Sequence, residues 1–178
     1  MLDRIAGGCE VTMESFYRNY AGAVYQFAFR TLGNTADAEE VVNEVMMEVW
    51  RKADSFAGRS RIKTWLLSIT HNKAVDAVRR KVRHDADEWD PDAAIDANVC
   101  TLTDLKASTE NRQHVEECMG RLNDGQRQVV YLTFFEELSY PEISIVLAVP
   151  AGTIKTRMLH ARKLLKRCLA LLRGEEVN

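Results

Sequence analysis

The feature that most constrains the fold of this chain is a set of apolar residues that recur with the period of an α-helix. Between Ala36 and Ala53 the apolar positions fall at offsets of 0, 3, 4, 7, 8 and 11 residues. They are Ala38, Val41, Val42, Val45, Met46 and Val49. Because side chains at this spacing share one face of a helix, that face has to be buried against other elements. The pattern therefore predicts an amphipathic helix packed within a helical domain.

Helical spacing recurs along the rest of the chain. It predicts further helices at about Thr12 to Leu32, Ile62 to Val82, Thr109 to Gly120, Tyr140 to Leu147 and Ala151 to Leu172. In the last of these the apolar residues are spaced 4, 3, 4, 3 and 4 apart. A succession of helical patterns predicts an all-α fold.

Capping signals indicate where several of these helices begin. We expect Thr35 to be the N-cap of the helix that starts near Ala36, since acids follow it in the first turn. Asn123 with Gln126, and Ser139 with Glu142, have the spacing of a capping box, in which the two residues bond each other's backbone amides. These pairs predict two helix starts in the second half of the chain.

The composition, with 46% apolar and 28% charged residues, is typical of a globular protein in water. No apolar run approaches the roughly 20 residues that a membrane-spanning helix needs. A basic segment followed by an apolar one, as in a secretion signal, is missing at the N-terminus. We therefore expect a cytoplasmic protein without membrane insertion.

The four cysteines are scattered, without C-x-x-C spacing. They are Cys9, Cys100, Cys118 and Cys168. This scatter argues against a zinc ribbon and against a disulfide framework, so we expect reduced thiols. His114 and Cys118 are four residues apart, but two ligands do not make a closed metal site. No metal or other cofactor is expected.

Basic residues are concentrated in two segments that flank an acidic one. Eight basic residues and one acid lie from Arg59 to Arg83, one basic residue and eight acids from His84 to Glu110, and seven basic residues and no acid from Ala151 to Arg173. Lys and Arg on phosphates release condensed counterions, so the two basic segments favour a polyanionic partner. The alternatives are a solvated helix face and, for basic residues in a last turn, the helix dipole.

The pattern from Tyr140 to Leu172 predicts a short helix, a turn of three residues ending in Pro150, and a longer basic helix. This is the order of a helix-turn-helix, whose second helix enters the major groove of DNA. The residues opposite the apolar stripe of the longer helix are polar or basic apart from one leucine, and we expect them to face DNA. They are Lys155, Thr156, Leu159, His160, Arg162, Lys163 and Lys166.

Between residues 84 and 108 the helical periodicity fails and acids dominate. This segment predicts a flexible linker, in which Trp89 is either an exposed aromatic or a docking anchor. The predicted organisation is a domain at residues 1–83, an acidic linker at 84–108 and a helix-turn-helix domain at 109–178.

Three stretches carry a resemblance to the extracytoplasmic-function group of bacterial sigma factors. They are LGNTADAEEVVNEVMMEVWRKADSFAGRS, TWLLSITHNKAVDAVRR and LSYPEISIVLAVPAGTIKTRMLHARKLL. Together with the aromatic first helix, they cover most of Thr12 to Arg83 and Asn111 to Arg173, in the family's order and spacing. The resemblance implies a factor without catalytic activity that joins RNA polymerase core and directs it to promoters.

The resemblance also implies roles for individual residues. Glu40, Asn43, Glu44 and Glu48 match the helix that docks on the β′ coiled coil of the polymerase, beside further contacts to the β subunit. Arg59, Ser60, Arg61, Lys63, Thr64, Trp65, Asn72, Lys73, Asp76, Arg79 and Arg80 match the region that captures and opens the minus-10 element. Thr153, Lys155, Thr156, Arg157, Leu159, His160, Arg162 and Lys163 match the region that reads the minus-35 element as duplex.

Several positions depart from the family's pattern or allow a second interpretation. The family usually has Arg at His71, and Gly at Ala148, where a left-handed turn costs another residue on the order of 1 kcal/mol. Trp65 stands at a core spacing and favours packing over stacking on a base. An anti-sigma factor is expected as an inhibitory partner on the resemblance alone.

Three rival interpretations account for less of the chain. A conventional helix-turn-helix regulator without polymerase binding explains Ala151 to Arg173 and leaves the first domain without a role. An enzyme would need a nucleophile with a nearby base, a phosphate-binding glycine loop or a metal cluster, and the sequence has none of these patterns. The third rival is a pure interaction module, such as one held by an inhibitory partner.

Overall fold

The computed structural model describes residues 1–87 and 109–172, with side chains over 1–83 and 113–172. Within these ranges the chain forms eight α-helices and no strand, which confirms the predicted all-α fold. It divides into two compact units. The first holds the first four helices, and the second holds the fifth, the sixth, the start of the seventh, and the eighth.

The first unit is a three-helix core closed at one end by a short helix. Its helices are α1 (Leu2–Ala6), α2 (Glu10–Leu32), α3 (Thr35–Lys52) and α4 (Ile62–Asp87), with a 3₁₀ turn at Ala53–Ser55 after α3. The helices α2, α3 and α4 pack against one another in all three pairs. All six residues of the predicted α3 stripe are buried in this core, as the spacing required.

Besides the end of α4, two details of the first unit differ from the expectation. The N-cap of α3 is Asn34, one residue before Thr35, and its side-chain oxygen accepts a hydrogen bond from the Asp37 N–H at 3.1 Å. Both residue types cap well, so sequence could not choose between neighbours. The helix α1 was not predicted because five residues are too few to show a period, although Leu2 and Ile5 are buried in the core.

The helix α4 continues to Asp87, beyond His84, where we expected the linker to begin. Residues 88–108, with Trp89 and Cys100, lie outside the described residues. The boundaries of the domains and of the linker therefore stay predictions.

The remaining helices are α5 (Thr109–Gly120), α6 (Asp124–Phe134), α7 (Tyr140–Leu147) and α8 (Ala151–Leu172). These bounds confirm the predicted helices. The second unit contains α5, α6, α8 and the start of α7. The helix α8 packs against both α5 and α6. Its buried residues follow the predicted stripe, with Leu165 and Leu172 only half-buried. The fully buried ones are Ile154, Met158, Ala161 and Cys168.

The predicted capping pairs are present. Asn123 and Gln126 form the full capping box at the start of α6. At the start of α7, the Glu142 carboxylate accepts from the Ser139 N–H at 2.9 Å and from its hydroxyl at 2.6 Å.

The turn between α7 and α8 is closed by the Ser144 hydroxyl, which donates to the Val149 carbonyl at 2.6 Å. Ala148 in this turn has φ 52°, the left-handed conformation expected there. This conformation costs free energy in a residue with a side chain, and the resembling family usually has glycine at this position. The helix α8 begins at Ala151, directly after this turn.

The cysteine expectation was wrong for one pair. Cys118 on α5 and Cys168 on α8 form a disulfide, with Cα atoms 5.7 Å apart. Cys9 is a free thiol. The two bonded residues are 50 positions apart in sequence, and only the packing of α5 on α8 brings them together. Spacing along the chain could not reveal this pairing.

Within the described residues, no helix is both long enough and apolar enough to cross a membrane.

The disulfide should stabilise the second unit by restricting its unfolded chain. For a sequence separation of 50 residues, the chain-entropy estimate is about 4 kcal/mol. We expect a reductant to lower the free energy of unfolding of the full chain, measured by urea titration and far-UV circular dichroism. The Cys118→Ala, Cys168→Ala double variant should unfold alike with and without reductant. Cys9→Ser is the control and should retain the response, whereas a wild type insensitive to reductant would contradict the assignment.

His71 should make the first unit less stable in acid. Its ring stacks on Phe27 with centroids 6.3 Å apart, and its buried Nδ1 has no hydrogen-bond partner. Burial lowers the pKa of His71 because it disfavours the charged imidazolium. Neutral His71 therefore favours the folded state at pH values above its pKa in the unfolded chain, about 6.5. This stabilisation is lost as the pH falls through the lower pKa that His71 has in the folded protein.

We expect the free energy of unfolding to fall more between pH 7.5 and pH 5.5 for the wild type than for His71→Gln. His160→Gln, which changes an exposed histidine, should behave like the wild type. Equal pH dependence in all three proteins would contradict the role of burial.

Candidate nucleic-acid interface

The residues predicted on α4 to line a DNA strand divide between two faces of the helix. Asn72, Asp76 and Arg79 are exposed and follow one another at intervals of four and three, so they form one outward line. Arg83 extends this line by one turn. Within it, the Arg79 guanidinium lies 3.5 Å from the Asp76 carboxylate. The other two residues of the set, Lys73 and Arg80, lie elsewhere.

Lys73 and Arg80 face α3 and pair with its carboxylates. Glu44 accepts from the Arg80 guanidinium at 3.2 Å and lies 3.5 Å from the Lys73 Nζ. One turn further along α4, Lys81 pairs with Asp37 at the start of α3. We call this set of contacts the α3–α4 seam. It joins two groups that the sequence assigned separately, one to polymerase and one to DNA.

Glu48 belongs to the same seam. Its carboxylate accepts from Lys52 at 2.5 Å and lies 3.7 Å from the Lys73 Nζ. The hydrogen bond from Lys52, with a smaller contribution from the Lys73 charge, lowers the pKa of Glu48. Glu44 and Glu48 therefore already have cationic neighbours within the protein.

The remaining predicted polymerase residues lie further out on α3. Glu40 and Asn43 are exposed on the outer face of α3, where Met47 continues the line one turn further. Met47 is 51% exposed, and the sequence interpretation missed it because it searched this face for acids. A groove of about 470 Å³ between α2 and α3 adjoins the line. It is lined by Tyr17, Ala21, Gly22, Tyr25, Glu39, Val42 and Asn43.

The segment between the 3₁₀ turn at Ala53–Ser55 and the start of α4 at Ile62, which we call the connector, holds most of the candidates for base capture. Arg59 and Arg61 are exposed, and Ser60 and Lys63 are half-exposed. Gly58 has φ 68°, a conformation that glycine adopts without strain. The turn at Gly58 brings these polar side chains to the surface at the start of α4.

Two residues next to the connector lie in the core rather than on the surface. Thr64 is completely buried, so contact with a captured base does not fit its position, and we correct that assignment. Trp65 is half-buried and packs on Phe56, with ring centroids 5.4 Å apart.

On α8, the predicted minus-35 residues form a continuous exposed face. Lys155, Thr156, Leu159, His160, Arg162 and Lys163 are exposed, and Thr153 is half-exposed. The Thr156 hydroxyl donates to the Gly152 carbonyl at 3.0 Å, which leaves its oxygen able to accept. No carboxylate belongs to α8, so this face is cationic along its length.

Arg157 is the exception among these residues. Its guanidinium covers Gly125 at the start of α6, and a side-chain carbon at Gly125 would lie 3.1 Å from it. Arg157 is half-buried there. It packs α8 against α6, so this contact turns its charge away from the exposed face.

Among the described side chains, at residues 1–83 and 113–172, no group of three or more His, Cys, Asp or Glu is arranged to hold a metal ion.

Two protein families match this chain. Sigma-70 region 2 matches residues 16–84, which contain α3, the connector and most of α4. Sigma-70 region 4 matches residues 112–165, which contain the helix-turn-helix.

Curated relatives resemble the chain over nearly its whole length. The ECF RNA polymerase sigma factor SigK of Mycobacterium bovis (strain BCG / Pasteur 1173P2) is 36% identical over 177 residues, covering 95% of this chain and 91% of the relative. SigK of Mycobacterium ulcerans (strain Agy99) is 34% identical over 171 residues, with coverage of 95% and 91%.

Two solved structures share the fold. The sigma factor RpoE of Bartonella quintana, in complex with the anti-sigma factor NepR, has a TM-score of 0.67 at 24% identity and covers 88% of this chain and 95% of its own. CnrH, in complex with the cytosolic domain of CnrY, has a TM-score of 0.63 at 23% identity, with coverage of 98% and 96%.

The order of the two matched regions, the exposed cationic face of α8 and the similarity to SigK agree with one another. The chain belongs to the extracytoplasmic-function group of RNA polymerase sigma factors.

Proposed function

We propose that this sigma factor opens the minus-10 element with its first unit and reads the minus-35 element with its second. The observation that carries the proposal is the exposed cationic face of α8 in a chain that matches both sigma regions. A conventional helix-turn-helix regulator needs only the second of these regions. The proposed function also gives the first unit a role, which a conventional regulator would not.

At the minus-10 element, the outward line of α4 and the connector act together. Opening DNA requires a protein to hold a single strand by its phosphates and to accept an unstacked base. Arg79 and Arg83 supply exposed cations along α4, while Arg59, Ser60 and Arg61 supply polar groups at its start. Lys73 and Arg80 are instead paired with the carboxylate of Glu44 in the α3–α4 seam.

At the minus-35 element, α8 lies in the major groove of duplex DNA. Its early exposed residues, from Lys155 to Arg162, reach base edges, and Lys163 and Lys166 reach phosphates. Side chains on base edges specify the sequence, and cations on phosphates contribute affinity that falls with salt.

Docking on the polymerase uses the outer face of α3. Glu40, Asn43 and Met47 form an exposed line beside the groove between α2 and α3. An apolar residue flanked by polar ones is typical of a contact centre. We propose that this line binds the β′ coiled coil, and that Glu44 and Glu48 orient α4 beneath it.

The protein acts in the cytoplasm, where RNA polymerase works, and has no catalytic activity of its own. Its similarity to sigma factors supports both statements. In a reducing cytoplasm, Cys118 and Cys168 would remain as buried neighbouring thiols. An inhibitory anti-sigma factor is a further proposed partner, supported by the fold shared with RpoE, which is held by NepR.

Run-off transcription tests the proposal as a whole. Adding the full chain to bacterial core polymerase should give transcripts from fragments of its source genome that core alone does not use. Glu40→Lys reverses an exposed charge on α3, so it should abolish these transcripts while the thermal unfolding of the protein stays unchanged. Core polymerase that gains no start site would contradict the proposal and favour the conventional regulator.

Arg79 and Arg80 form a matched pair for testing the minus-10 surface. Their side chains are 66% and 56% exposed, but Arg79 lies in the outward line and Arg80 in the α3–α4 seam. If Arg79 contacts a phosphate, Arg79→Ala should reduce the salt dependence of promoter binding by the holoenzyme by about one ion. Arg80→Ala should leave the slope unchanged. Equal slopes for both variants would assign the DNA contact elsewhere.

A further inference from the structure

An apolar residue lies at the centre of the cationic face of α8. Residues three and four positions apart are neighbours on a helix surface. Leu159 therefore has Lys155 and Thr156 one turn before it, and Arg162 and Lys163 one turn after it, all exposed. The middle of this face is thus a branched hydrocarbon side chain within a ring of polar groups.

The exposure of Leu159 has no explanation within its own unit. The residue is 52% exposed, whereas Met158 beside it is buried in the core. Leu164 is also exposed, at 43%, but it stands five residues further on, which places it on nearly the opposite side of the helix. Leu171 is exposed as well, at 62%, but it lies twelve residues further on, near the end of α8. Leu159 is therefore the exposed leucine at the centre of the cationic face.

The backbone near Leu159 allows a close approach. Gly152 lies two turns before Leu159 on the same face, and no atom stands within 4 Å of the place where its side chain would be. The surface of α8 at Gly152 is thus open on the side of the helix that carries Leu159. A helix without a side chain at this point can enter the groove more deeply and bring Leu159 to the base edges.

The chemistry of the major groove limits what Leu159 can recognise. Base edges there present hydrogen-bond donors and acceptors, and the thymine 5-methyl is the apolar group among them. Leucine has neither a donor nor an acceptor, so a polar edge beneath it would lose its hydrogen bonds to water without replacement. A 5-methyl group, in contrast, gains from being covered by an apolar side chain.

We propose that Leu159 is a specificity-determining residue that selects a thymine by its 5-methyl group in the duplex read by α8. The inference rests on the proposed function, because it needs α8 to lie in the major groove. It adds the base that the centre of this face prefers. Lys155 and Arg162 then act on the neighbouring base edges and phosphates.

The experiment replaces thymine with uracil, which lacks only the methyl group. Duplexes are first selected from a random pool by the full chain bound to core polymerase. Each thymine of a selected duplex is then replaced singly by uracil, and holoenzyme affinity is measured for the wild type, Leu159→Ala and Leu164→Ala. Thermal unfolding verifies that the variants are folded, as expected for exposed side chains.

We expect one thymine at which uracil weakens wild-type binding about fourfold, the value for one buried methyl group. Leu159→Ala should bind the thymine and uracil duplexes equally, because the partner of the methyl is gone. Leu164→Ala, the matched control, should keep the fourfold difference.

Two results would overturn the inference in different ways. If duplexes are selected but no uracil changes wild-type binding, or if Leu159→Ala keeps the full difference, Leu159 does not read a methyl group and the proposed function stands. If no duplex is selected at all, the proposed function and this inference fail together, and the exposed leucine is then a contact for a protein partner.

Discussion

Burial of one apolar stripe on each long helix is the constraint on which the rest of this protein depends. The stripe of α3 packs against α2 and α4, and the stripe of α8 packs against α5 and α6. Once a stripe is buried, the rotation of the helix about its axis is determined, and the residues opposite must face solvent. The acidic outer face of α3 and the cationic face of α8 both follow from this packing.

The same rule gives different results on α4 and α8, although both are rich in Lys and Arg. The helix α8 has no carboxylate of its own, and the exposed part of its face stays cationic. The helix α4 packs beside α3, and Glu44 of α3 pairs with Lys73 and Arg80 in the α3–α4 seam. Exposed ion pairs of this kind contribute little to stability, but they decide which cations stay directed outward. Arg79 is among those.

Much of the fold could be predicted because helical periodicity is a local signal. The α3 stripe, the bounds of α5, α7 and α8, and the Asn123 capping box all depend on residues within a few turns of one another. The wrong predictions concern features of too few residues to show a helical period, or contacts between residues far apart in the sequence. The helix α1 is too short to show a period, Asn34 and Thr35 compete for one cap, and the Cys118–Cys168 disulfide joins residues 50 positions apart.

By itself, the sequence determined the helices, the side of each helix that is buried, and where charge accumulates, since spacing and residue type carry this information. Tertiary structure alone decided which charges are shared between helices, that Thr64 lies inside the core, and that Arg157 turns back onto Gly125. The physical reason is that helical periodicity shows which residues share a face of a helix. Which residues that face contacts depends on the helix packed against it.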